Sequence, residues 1–144
     1  DAGLIAGWEH LFFAALNALK AFEGRVNVSN SLAMETLLFA SAERQIKRAV
    51  ELLGVKPETS AAAVLVMAET PEEVNEILKT VSGLVPGERD DSVLELTNEK
   101  MEAIKGFFRI SDLELQAKLE EEGLEKRALT DLVIEHMALL VTQK

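Results

Sequence analysis

The chain contains no cysteine, which removes disulfides and thiolate chemistry from consideration. It has only two histidines, His10 and His136. They are far apart in sequence, and neither has a partner at the helical spacing used by metal ligands. Its eight glycines are scattered and mostly close helices, so no glycine-rich phosphate loop is present. No apolar run reaches the ~18 residues a membrane-crossing helix needs, and no secretory signal precedes the first helix, so the expected location is the cytoplasm, with no membrane partner. Cations are also scarce: 15 Lys and Arg stand against 25 Asp and Glu, a net charge of −10. A broad basic face of the kind nucleic-acid binders carry is therefore excluded.

The charge is unevenly spread. Residues 1–60 hold six Lys or Arg against seven Asp or Glu, and residues 61–144 hold nine against eighteen. Any contact with RNA must then be local, and the first sixty residues are the better place for it. At 144 residues the chain has the length of one domain, enough to bury about two thirds of its unfolded surface. A Glu-rich, Gln-poor composition leans towards a thermophile.

What the chain does contain is apolar periodicity. Trp8, Leu11, Phe12, Ala15, Leu16, Leu19 and Phe22 follow the helical repeat, predicting a helix over 8–22 closed by Gly24, with Trp8 and Phe12 in the core. Leu32 to Ala40 is apolar almost all round, which predicts a central helix. Glu35 is the exception on it, and an unpaired buried carboxylate is costly, so a structural role is expected: capping backbone donors or pairing with Arg44. Ile46, Ala49, Val50 and Leu53 form one face of a further helix, with Ser41 as its N-cap and Gly54 as a left-handed C-cap. Its other face carries Arg44, Gln45, Lys47 and Arg48.

Beyond Gly54, the run Ala61-Ala62-Ala63-Val64-Leu65-Val66-Met67-Ala68 fits a buried central strand. Thr70-Pro71-Glu72-Glu73 opens a helix that ends at Gly83. Val93 to Leu96 reads as a second strand. Thr97 or Asn98 caps a helix through Met101, Ile104 and Phe108. Ser111 and Glu114 form a capping box. A break is expected over 120–123, and a final helix over 124–142. Strands separated by helices, with several helices left over, imply an α+β or α/β sandwich.

Several segments together resemble a known family. They are Gly7-Trp8-Glu9-His10-Leu11, Ser29-Asn30-Ser31, Met34-Glu35, Ala40-Ser41 and Arg44-Gln45-Ile46-Lys47-Arg48-Ala49, then Asp90-Asp91-Ser92-Val93-Leu94-Glu95 and Val133-Ile134-Glu135-His136-Met137-Ala138-Leu139-Leu140. In this the chain is similar to the kinase-binding subunit of the KEOPS complex (the TPRKB family), in an archaeal form. The resemblance covers nearly the whole chain and implies an α+β fold: one domain with a small, largely antiparallel sheet against several helices. Asp1-Ala2-Gly3-Leu4-Ile5 would be the end of a strand, and the first strand or so of the family would be missing.

The resemblance also implies a role: a non-catalytic subunit that binds a small atypical kinase directly, meets the other KEOPS subunits through it, and captures the 3′ end of tRNA for threonylcarbamoyladenosine synthesis. Unstacked RNA needs polar edges, stacking surfaces and a few cations. His10, Asn30, Arg44, Gln45, Lys47 and Arg48 are the RNA-contact candidates. Val133, Met137 and Leu140, on the last helix, are the kinase-contact candidates. No cofactor, metal site or catalytic residue is assigned. Two other readings stay open: a small metal-dependent enzyme using Asp90, Asp91 and a nearby Glu, or a plain dimerisation module. Each residue also has a plainer role available, a solvated helix side for the cations and an internal helix face for the C-terminal apolar residues.

Overall fold

Helix starts are set locally. Thr70 accepts from the Glu73 N–H at 3.2 Å, with Pro71 at the first helical position. Thr97 accepts from the Lys100 N–H at 3.2 Å. Ser111 and Glu114 close a reciprocal capping box, at 3.1 and 2.9 Å. Each side chain satisfies a donor that a helix leaves without an internal partner.

The computed structural model describes residues 1–142, the side chains of Glu122, Val141 and Thr142 aside. The elements are α1 (Trp8–Glu23), α2 (Leu32–Ser41), α3 (Ile46–Leu53), α4 (Pro71–Leu84), a 3-10 turn (Asp91–Leu94), α5 (Asn98–Phe107), α6 (Asp112–Glu122), α7 (Glu125–Ala138) and a last 3-10 turn (Leu139–Thr142). No strand occurs among the described residues, so the expected α+β fold with an antiparallel sheet is corrected to an all-helical one. Residues 61–68 run extended, and Ala63, Leu65 and Met67 line a recess with Leu11, Leu37 and Leu53 at a strand-like period of two. Among the described residues, one backbone bond from a distant segment ties this run, from the Ala2 N–H to the Ala61 carbonyl at 2.9 Å. A strand is defined by its ladder, and apolar composition does not supply a neighbour. Val93 and Leu94 lie in the 3-10 turn, where Asp90 accepts from the Ser92 N–H. Residues 1–5 are also not a strand.

The packing of α1 differs from expectation as well. Its buried face is His10, Ala14, Ala15, Ala18 and Ala21. Trp8, Phe12 and Leu19 are exposed, at 65, 50 and 42%. Helix axes approach closely only where side chains are short, and α1 packs on both α2 and α7 through this alanine seam. The large apolar residues are thereby turned outward, although the helical period is correct.

α7 joins two hydrophobic clusters. Leu129, Leu132 and Val133 pack with Met101, Ile104, Phe108 and Leu115. Met137, followed by Leu140, packs with Ala14, Ala18, Phe39 and Leu53. By contrast, none of the residues of α4 is fully buried.

Two boundary expectations also change. Ser41 is the last residue of α2, and its hydroxyl donates to the Leu38 carbonyl at 3.0 Å; α3 begins only at Ile46, with Gln45 as its N-cap. Gly54 is extended (φ −62°, ψ 152°), not left-handed. Glycine is needed there for a different reason: an added Cβ would run into the Val50 carbonyl oxygen at the end of α3. Gly54→Ala should accordingly destabilise the chain by about 1–3 kcal/mol, the usual range for a strained point change, read as a lowered urea midpoint at unchanged slope.

Candidate RNA and partner interfaces

The α2–α3 corner is made by Ala42, which adopts a left-handed conformation (φ 53°) and closes α2 with bonds to the Leu38 and Phe39 carbonyls. The chain then reverses, and Arg44, Gln45, Ile46, Lys47 and Arg48 are all exposed. Gln45 makes no side-chain cap, and the first turn of α3 contains no acidic residue. Lys47 and Arg48 occupy that turn instead. Cations at the positive end of a helix dipole are disfavoured by about 0.3–1 kcal/mol each, so this placement breaks a local rule. The Arg48–Glu43 pair, 3.7 Å between half-exposed groups, offsets little of it. Arg44 Nη1 donates to the Leu140 carbonyl at 3.3 Å, tying the corner to the 3-10 turn that follows α7.

Of the six RNA candidates, four are brought together here: Arg44, Gln45, Lys47 and Arg48. Asn30 is exposed but lies before α2, at its opposite end. Ten helical residues separate the two places, about 15 Å at 1.5 Å per residue. The loop that carries Asn30 is held by Glu35, whose carboxylate accepts from the Val28 N–H (3.0 and 3.1 Å) and the Ser29 N–H (2.8 Å). The expected backbone-capping role of Glu35 is therefore observed.

His10 has no exposed surface, so in this conformation it offers no face to a base. Its Nδ1 accepts from the Ala6 N–H at 3.0 Å, and its Nε2–H donates to the Ala40 carbonyl at 2.8 Å. The Ala6 N–H can only donate, which fixes the neutral tautomer. Burial pushes the imidazole pKa down to about 4, with Lys100 adding to the shift and the Ala40 bond opposing it.

The kinase candidates, Val133 and Met137 on α7 and Leu140 in the turn after it, are enclosed too. Val133 and Met137 have no exposed surface, and Leu140 is 4% exposed. The open residues beside them are Glu135, Ala138 and Leu139. The side chain of Val141, the next apolar residue, lies outside the described residues. A pattern of apolar residues cannot tell an internal helix face from an external one, because both follow the same period.

A surface the sequence reading missed lies at the start of α1 and α7. Trp8 and Phe12 meet edge to face at 6.1 Å, and Leu124, just before α7, is 67% exposed. The two helix starts are joined by Arg127, whose Nη1 donates to both Glu9 carboxylate oxygens at 2.7 and 2.8 Å. The Trp8-Phe12 pair was legible as an i, i+4 spacing, but only the alanine seam decides that it points outward.

Asp90 and Asp91 are engaged locally. Asp90 accepts from the Ser92 N–H and hydroxyl, and Arg89 grips Asp91 at 3.0 and 3.1 Å. These bonds hold both carboxyls below their ordinary pKa. Among the described residues no group of three or more His, Asp or Glu is placed to hold a metal ion, so the metal-enzyme reading has no ligand cluster there. No helix among them is long and apolar enough to cross a membrane.

The sequence profile of the family described as "Kinase binding protein CGI-121" matches residues 1–140. The chain belongs to this family. It is also similar to the "Regulatory protein Cgi121" of Methanocaldococcus jannaschii, 31% identical over 132 residues, which cover 92% of this chain and 81% of that relative. The resemblance seen in the sequence is thus upheld at the family level.

Two outcomes follow from these placements. The folded-state pKa of His10 lies below the unfolded value of 6.5, so the unfolded chain binds the extra proton first. Stability is therefore complete above pH 6.5 and falls as pH drops through about 4, by up to roughly 3 kcal/mol for this one group. Urea titrations across that range should show the loss, and His10→Gln should flatten it. Leu140→Glu, at a buried site, should cost about 3–5 kcal/mol by leaving a charge uncompensated, while Leu139→Glu on the open side should cost far less; thermal melts of both distinguish them.

Proposed function

We propose that the chain is a non-catalytic accessory subunit of a cytoplasmic KEOPS complex. In this role it holds the small atypical kinase subunit directly, meets the other subunits through it, and helps recruit tRNA by its 3′ tail for threonylcarbamoyladenosine synthesis. The observation that carries the RNA half is the start of α3. There, first-turn backbone N–H groups without a side-chain cap coincide with Lys47 and Arg48, in a chain otherwise strongly acidic. Helix N-termini favour anions, and two cations beside one make a compact phosphate reader. Gln45 adds amide groups suited to a base edge. Arg44 adds charge, although its bond to Leu140 gives it a structural duty as well.

The kinase half rests on membership of the kinase-binding family. The enclosed Val133, Met137 and Leu140 support the helix from inside. A partner reaching α7 would meet Glu135, Ala138 and Leu139 on its open side, or its first turn with Leu124 and Arg127. The binding reading also agrees with the way ionisable side chains are used: His10, Glu35 and Lys100 all serve backbone groups.

Lys47→Ala/Arg48→Ala tests the RNA half without disturbing Arg44. Binding to tRNA should weaken, and the slope of log K against log salt should shrink by up to about 1.4, at about 0.7 for each single-strand phosphate that is no longer neutralised. Removing the 3′ tail from the tRNA should abolish the difference between variant and wild type. Equal binding by both proteins at low salt rejects the assignment.

A further inference from the structure

We infer that the kinase partner docks on the corner formed by the starts of α1 and α7, with Trp8 and Phe12 as anchors on α1 and the exposed Leu124 at the start of α7. The inference rests on the reading that this chain binds a kinase, and it adds the place. α1 buries its alanines and turns Trp8, Phe12 and Leu19 to solvent. Trp8 and Phe12 lie one turn apart and touch, and a patch of adjoining exposed apolar side chains marks an interaction surface where isolated ones do not. The patch is also pre-ordered. Trp8 stacks edge to face on Phe12 at 6.1 Å, and Phe12 on Phe13 at 5.3 Å and 88°. Rigid aromatic side chains lose little freedom on binding, which is why Trp and Arg dominate the energetics of interfaces.

The corner is held by the Glu9–Arg127 bond, which fastens the first turn of α1 to the first turn of α7. Arg127 bonds Asp131 as well, at 3.3 Å. The anchors on the two helices therefore sit in fixed relation. The fringe decides the kind of partner. Glu120 and Glu125, with Glu121 paired to Lys118 at 3.8 Å, lie within four residues of Leu124, against Lys126 and the already paired Arg127. A second copy of this chain would bring acidic fringes together, and a phosphate backbone would be repelled by them. The complementary occupant is a protein surface with an apolar cleft rimmed by Lys and Arg.

Titration calorimetry with the small KEOPS kinase subunit of the same source tests this. Trp8→Ala/Phe12→Ala should weaken binding at least tenfold while helix content by circular dichroism stays unchanged. Glu120→Lys/Glu121→Lys should weaken it further at low salt than at high salt. Leu84→Ser, at the exposed end of α4, should bind like wild type. If wild type fails to bind the kinase, the kinase-binding reading itself fails. If wild type binds and the Trp8/Phe12 variant binds equally well, that reading stands and this corner is rejected. Should the double variant lose helix, Leu124→Glu decides instead: unaltered affinity rejects the corner, and a tenfold loss supports it. A wild-type homodimer in sedimentation that Trp8→Ala/Phe12→Ala disrupts would also overturn the assignment.

Discussion

Everything in this fold depends on how closely α1 can approach its neighbours. Ala14, Ala18 and Ala21 present almost no side chain, so α2 and α7 can pack against the helix backbone itself. Close packing of that kind sums many small dispersion attractions over a long seam. It also has a directional consequence. A helix that buries its small residues must expose its large ones, and Trp8, Phe12 and Leu19 are exposed for this reason. The same seam draws Met137 of α7 inward, and Leu140 just after it, so that the apolar stripe of α7 becomes core.

Around that seam, polar side chains are used as fasteners. His10 joins the backbone before α1 to the end of α2. Glu35 gathers the loop before α2. Lys100 Nζ donates to the Ile5 and Val93 carbonyls at 3.0 and 2.6 Å, and burial lowers its pKa. Loops without a ladder still need partners for their backbone groups, and a buried group left unbonded would cost about as much as a broken hydrogen bond. The ionisable residues committed in this way are used to hold the backbone, in a chain of the family described as kinase-binding.

Local signals were legible because they act over three or four residues. Thr70, Thr97 and the Ser111–Glu114 box each specify a helix start with no reference to the rest of the molecule. The cluster Arg44-Gln45-Lys47-Arg48 was legible for the same reason, being contiguous. The readings that failed needed information from a distance. Residues 61–68 look like a strand, yet a strand exists only beside another. Asn30 and Gln45 looked like one site, but α2 separates them. His10 looked available, but the carbonyl of Ala40, thirty residues on, had already claimed it.

By itself, then, the amino-acid order determined where helices begin, which stretches are apolar, where positive charge survives in an acidic chain, and to which family the chain belongs. Only tertiary structure decided which side of each helix faces inward. Periodicity defines a stripe but is silent about its direction, because the packing partners that decide it are distant in sequence; in α1 the alanines that meet α2 and α7 face inward and Trp8 and Phe12 face out.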